Sequence, residues 1–262
     1  METTERREAR EAPFRLVVSP VSLVGKRVVI DFDARKYGRV KGDLEAIEAG
    51  WRRKLAENSR IYNMSKFRLA EVRMEGDEVV LEIGLTDYKE FVGTHLVEER
   101  YERRRLSRAI GCEAVARLRD DKIVLLRRSA KVANQAGHYN GPSGHAEPQR
   151  SGLEKTEHIF HELMTESILT EIVEETGIPR TALSAPIFLG VMEDATQKPD
   201  FLFLVDCDLD ENDFRRGFPR AEDAWESDHA IVVPIADLPQ LTERLTDVTN
   251  AALLCLQERL LL

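Results

Sequence analysis

The sequence has few cysteines, no long apolar run and no surplus of positive charge. Its three cysteines, Cys112, Cys207 and Cys255, stand far apart. Their spacing matches no zinc, redox or disulfide pattern, which leaves buried or half-buried free thiols in a reducing compartment. No apolar stretch reaches the length that crosses a bilayer. The first residues, METTERREAREAP, alternate charges around no apolar core, so they read as neither signal peptide nor anchor. Lys and Arg number 38 against 47 Asp and Glu, a formal net charge of −9. That balance argues against a nucleic-acid partner, whose phosphates would be repelled. A small anionic ligand stays compatible, because a metal or an arginine cluster reverses the field at one site. Aromatic residues are sparse, but 42% of the 262 residues are hydrophobic, enough for a real core. A soluble intracellular chain is expected, with no membrane contact and no obligate protein partner.

Periodicity places elements along the whole chain. FRLVVS (Phe14 to Ser19) and RVVIDFD (Arg27 to Asp33) read as strands. From about Gly42 to Asn58, Leu44, Ile47, Trp51 and Leu55 recur at helical spacing. FRLAEVRM and EVVLEIGL alternate around MEGDE, the mark of a hairpin. The stretch from Asp87 to Arg108 reads as a helix ending near Gly111, with Arg103 to Arg108 on a solvated face. CEAVARL and KIVLLRR then form a second hairpin, followed by a Gly-, Asn- and Pro-rich loop from about Ala136 to Gly152. Further strands are expected at Ile187 to Met192, Phe201 to Asp206 and His229 to Pro234. An amphipathic helix is expected from about Leu241 to Leu260. The class is α+β, divided into an N-terminal extension domain, 1–108, and a main domain, 109–262.

One segment breaks a rule. TEIVEETGIP (Thr170 to Pro179) ends a helix, since Gly177 is a natural stop and Pro179 forbids continuation. Glu171, Glu174 and Glu175 crowd its last turns, where carboxylates oppose the helix dipole and repel one another. Ile168, Leu169, Ile172 and Val173 take the opposite side. Two readings fit: a solvated acidic face, or a site for a hard divalent cation such as Mg²⁺. The preceding loop NGPSGHAEP brings backbone close to any ligand, and Arg127 and Arg128 at a strand end offer guanidinium groups to phosphates.

The helix resembles the Nudix hydrolase signature. Glu162, Glu171, Ile172, Glu174, Glu175, Gly177 and Ile178 fall in register with it. Thr170 stands where that signature has an arginine. Its glycine has Gly144 as the best counterpart, with PQRSGLEKTEHIFH inserted after the loop. KFRL (Lys66 to Leu69), LEIGLTDYKEFVGT (Leu81 to Thr94), LLRRS (Leu125 to Ser129) and GPSGHAEP are similar to a narrower subgroup, the UDP-glucose/UDP-galactose pyrophosphatases. The chain is also similar to plant Nudix proteins. Ser143 and Ala146 replace a Gly and a Pro of the subgroup's loop.

The resemblance implies a Nudix fold, a mixed sheet between helices, with the N-terminal extension contributing to nucleotide binding. It implies Mg²⁺, or Mn²⁺, held by Glu171 and Glu175, with Glu174 as a third ligand or an acid/base. It implies substrate contacts from Tyr62, Tyr88, Arg128, Ala133, Asn140, His145, Glu147 and Ser227. Among these, Arg128 would grip a diphosphate, His145 and Glu147 phosphate or sugar, and the two tyrosines a nucleoside. Glu193 and Asp194 read either as a late carboxylate pair for metal or base, or as surface acidity. His158 and His161 lack the spacing of a zinc helix and read as ordinary polar positions. The implied reaction is hydrolysis of UDP-glucose or UDP-galactose to UMP and hexose 1-phosphate. Alternatives are ADP-ribose or a dinucleotide as substrate, and a UDP-sugar binder without chemistry.

Overall fold

A computed structural model describes residues 13–34, 41–59, 61–97, 101–130, 135–148, 156–222, 225, 227–241 and 244–262. Its elements run β1 (Phe14–Val18), α1 (Pro20–Leu23), β2 (Arg27–Phe32), α2 (Lys41–Glu57), β3 (Ser65–Glu75), β4 (Glu78–Asp87) and α3 (Tyr88–His95). They continue as β5 (Gly111–Leu118), β6 (Lys122–Arg128), β7 (Tyr139–Asn140), β8 (Ser143–His145), α4 (Thr156–His161) and α5 (Ser167–Thr176). The last are β9 (Ile187–Asp194), β10 (Pro199–Cys207), α6 (Glu211–Gly217), β11 (Ser227–Pro234) and α7 (Asp247–Leu260).

A large mixed sheet has the order β1-β9-β10-β5-β6-β11, with β8 paired to β5 and β7 paired to β6. β10 runs parallel to β5, and its other neighbour β9 is antiparallel. The central strand β5 is buried on both faces, as a covered strand must be. On one face Cys112, Ala114 and Ala116 pack with Ile168, Leu169 and Ile172 of α5. On the other, Val115, Ile123 and Leu125 pack with Ala251, Ala252 and Leu256 of α7. Each fully buried Leu, Ile or Val contributes about 1.5–3 kcal/mol.

A second sheet, β2-β4-β3, adds Phe67, Leu69, Leu81 and Ile83 to the α5-side core. β1 does not join it; this strand pairs with β9 of the large sheet. Helix α3 begins at Asp87, whose carboxylate accepts from Glu90 N–H at 2.8 Å and caps it. It crosses α2 at Gly93, where a Cβ would sit 2.7 Å from Ile47 Cα.

The helix expected from Asp87 to Arg108 stops at His95, and Arg103–Arg105 forms one 3₁₀ turn. Only Arg104 of the run is solvated; Arg103, Arg105 and Arg108 are not. Arg103 pairs with Glu193 at 2.7 Å, Arg105 with Asp43, and Arg108 is fully buried with a left-handed φ of 50°. Their carboxylate partners lie far away in sequence and pull the backbone out of helical geometry. The C-terminal helix also begins later than expected, at Asp247, where the Thr246 hydroxyl caps it by accepting from Thr249 N–H. Leu241 and Leu245 pack against the sheet before the helix starts. Among the described residues no helix is long and apolar enough to cross a membrane.

Candidate active site

α5 ends as its sequence dictates, with Gly177 at φ 69° donating to Val173 O at 3.0 Å. The inserted segment before it is, where described, α4, and one π turn, Glu162–Glu166, leads from α4 straight into α5. Glu162 is buried, with His158 Nε2 standing 3.1 Å from its carboxylate. Thr170 is exposed.

The last turns of α5 lie against β8. Ser143 N–H donates to Glu175 Oε2 at 3.0 Å. A Cβ on Gly144 would overlap the Glu171 carboxylate, so only glycine lets the loop lie on that group. Glu175 is buried and Glu171 and Glu174 are half-buried. Behind Gly144 the Cys112 thiol approaches Gly144 O at 3.7 Å; burial and then the Glu171 charge push its pKa well up. Burial likewise raises Cys207 and Cys255 to about 12, so all three thiols stay protonated at neutral pH.

Among the described residues no three carboxylate, imidazole or thiolate side chains converge on one point. Two carboxylates one turn apart, seated on loop backbone, are the type of oxygen donor that a hard divalent cation accepts alongside water and phosphate oxygens.

The other expected residues fall into two groups. Arg128 ends β6 beside Ser227 of β11, its register partner, and its N–H donates to His138 O at 2.9 Å. Asn140 is buried one strand away and donates from Nδ2 to Gly141 O at 2.8 Å and Ser143 Oγ at 2.9 Å. It shapes the turn that carries Ser143 and Gly144. The second group joins the loop to the N-terminal elements. His145 stacks edge-on against Phe91 and Tyr88, with ring centroids 4.9 and 6.1 Å apart. Burial, then Lys198, Lys66 and His95, drive its pKa well below the usual imidazole value, so it is neutral. Glu147 pairs with Lys66, whose Nζ lies 5.7 Å from the Tyr88 ring centre. Tyr62 is exposed between α2 and β3, and among the described residues no hydrogen bond or ring contact joins it to the loop. Ala133 lies outside the described residues.

Glu193 and Asp194 are committed elsewhere. Glu193 is buried and accepts from Arg15, Arg103 and Arg108; these outweigh the upward push of burial and bring its pKa down to about 2. Asp194 closes its own turn by accepting from Thr196 and Lys198 backbone N–H groups at 2.8 and 3.0 Å. Neither serves the acidic helix.

Four charged groups near the loop escaped the sequence reading. Lys66 is buried, and Lys198 pairs with buried Asp200 above Gly111, the strand partner of His145. Glu113 is buried in β5 under Gly141. It carried a readable signal: in CEAVARL it shares a face with Val115, so a charge had to point into the core.

No family model matches the chain. Among curated proteins it is 31% identical to Nudix hydrolase 9 of Arabidopsis thaliana, over 88% of this chain and 86% of that one. It is 32% identical to the Bos taurus protein named uridine diphosphate glucose pyrophosphatase NUDT22, over 77% of this chain and 79% of that one. Among solved structures, the MutT protein of Methanosarcina mazei aligns with a TM-score of 0.39 at 20% identity, covering 57% of this chain and 94% of that one. At this identity and coverage of the Arabidopsis protein, the chain belongs to the Nudix hydrolases and is an enzyme.

Proposed function

We propose that the protein hydrolyses UDP-glucose, UDP-galactose or a close UDP-hexose to UMP and a hexose 1-phosphate, with Mg²⁺ as cofactor. The observation that carries this reading is the seating of Glu171 and Glu175 on the Ser143–Gly144 backbone. The sugar-nucleotide part rests on the relatives named uridine diphosphate glucose pyrophosphatase in cattle, human and mouse.

In this reading Glu171 and Glu175 hold the cation, and Glu174 completes the set or takes the proton of the attacking water. When bound, the cation supplies charge neutralisation at the diphosphate. Arg128 grips the diphosphate oxygens, and Ser227 beside it adds a hydroxyl. Asn140 holds the turn that presents the loop, while neutral His145 and the Lys66–Glu147 pair face phosphate or sugar. Tyr88 offers a ring to the uracil, and Tyr62 and Ala133 are substrate contacts by resemblance alone. Elements of residues 1–108 thereby complete a site built mainly by 109–262. The protein contributes positioning and electrostatics, and no covalent nucleophile.

A product assay over UDP-glucose, UDP-galactose, ADP-ribose and a dinucleotide, with and without Mg²⁺, tests the reading. UMP and hexose 1-phosphate formed only with the cation are expected. Turnover of ADP-ribose with none of either UDP-hexose would overturn the substrate assignment and leave the hydrolase.

A further inference from the structure

Glu113 and Glu175 lie on opposite sides of the large sheet and grip the same short turn. Glu113 belongs to the α7-facing side of β5; Glu175 projects from α5 on the other side. Glu113 Oε1 accepts from Gly141 N–H at 3.3 Å. Two residues on, Ser143 N–H donates to Glu175 Oε2 at 3.0 Å. Between them, Pro142 O accepts from Ala114 N–H at 2.9 Å. Gly141 lies directly on β5, where a Cβ would overlap Ala114 O. The turn is therefore clamped from below by Glu113 and the β5 backbone, and it delivers its last N–H to Glu175.

The Glu113 carboxyl is costly where it sits. It is 1% exposed, and its Oε2 has no hydrogen-bond partner. An unsatisfied buried polar group costs about 1–3 kcal/mol, and one in a native fold calls for an explanation. Thr249 of α7 faces the same carboxyl from the opposite layer. Burial pushes its pKa up to about 8, which keeps it a neutral acid at neutral pH.

We infer that Glu113 is a positioning residue for the metal-ligating carboxylate Glu175, acting across the sheet through the Gly141–Ser143 backbone. This rests on the assignment of Glu175 as a metal ligand. Glu113 itself touches neither cation nor substrate. Groups hydrogen-bonded to a metal ligand change metal affinity by roughly 10- to 100-fold when lost, and Glu113 acts one step further back, through the turn.

Mn²⁺ titration of the purified protein by calorimetry, without substrate, reads the effect directly. Glu113→Met removes the acceptor and fills its space; Glu113→Ala removes it and leaves the space empty; Glu113→Gln keeps an oxygen for Gly141 N–H. The folded member of the first two, or both, should bind Mn²⁺ about 10-fold more weakly, and Glu113→Gln should lie within about 3-fold of the parent. Unchanged affinity in a folded Glu113→Met or Glu113→Ala protein would overturn the inference. Equal weakening in Glu113→Gln would overturn it too, since the hydrogen bond would then not be the cause. Glu175→Gln is the control. If it binds Mn²⁺ as the parent does, the metal assignment fails; if it binds weakly while the Glu113 variants do not, only the positioning role fails.

Discussion

Arg108 donates from Nη2 to Glu193 Oε1 at 2.7 Å, with both side chains sealed from solvent. The same guanidinium donates to Leu69 O at 2.8 Å and Gln197 O at 3.0 Å. One residue thus fastens β3 of the small sheet to β9 and the turn before β10. Arg103 and Arg15 close on the other edges of the Glu193 carboxylate. All three nitrogens of the Arg108 guanidinium donate, and these bonds hold its left-handed backbone in place.

Breaking this hub from one side leaves a buried guanidinium with its carboxylate gone. Glu193→Gln should destabilise the fold by about 3–5 kcal/mol, read from urea unfolding. The folded Glu193 pKa, about 2, lies below its ordinary 4.5. Its stabilisation is therefore fully present above pH 4.5 and is lost as pH falls towards 2. The variant should lack that acid-limb loss. A Glu193→Gln protein with parental stability and acid sensitivity would show that the arginines find other partners.

This hub also marks what the sequence could show. Elements held by local signals were legible: the Gly177 stop, the hairpin around Gly76 and the apolar stripe of α5. The Arg103–Arg108 run was misread because its partners Asp43 and Glu193 are 62 and 90 residues away, and helical pattern reports only neighbours. Leu241 and Leu245 extended the apparent C-terminal helix because apolar spacing does not record the cap at Thr246. At the site, the acidic helix end was readable as a conflict with the helix dipole. The seat beneath it, Gly144 and Ser143, needed the sheet pairing of β8 with β5 to be seen.

Replacing either seated carboxylate should separate chemistry from folding. Glu171→Gln and Glu175→Gln should each lower kcat by roughly 100- to 1000-fold, the usual cost of losing one preorganised electrostatic group. Circular dichroism should be unchanged and thermal midpoints should stay within a few degrees or rise, since repulsion at the helix end is relieved. Chelation should abolish turnover of the parent, and added Mg²⁺ should restore it. Full activity of both variants would remove the acidic helix from the mechanism.

Gly144 tests the seat itself. Its Cβ would overlap Glu171, whose side chain must then swing away from the loop. Gly144→Ala should cost about 100-fold in kcat, the scale of a misplacement of about 1 Å, with little loss of stability. Steady-state kinetics and thermal unfolding on the same samples check it. Parental kcat would mean that the carboxylate works from another position.

Glu113 gives the pH dependence with the opposite sign. Its folded pKa, about 8, lies above the ordinary 4.5, because burial disfavours the charged form. Between these values the folded chain holds a proton that the unfolded chain has released. Its contribution is complete below pH 4.5 and declines as pH rises to about 8. Glu113→Gln has no such proton to lose. The difference in thermal midpoint between Glu113→Gln and the parent should therefore shift in favour of the variant as pH rises from about 5 to about 8, and level off above. Glu193 titrates far below this window, so it does not contribute to the slope. Parallel pH profiles for the two proteins would mean that Glu113 is ionised in the folded state, the Arg128 charge outweighing burial.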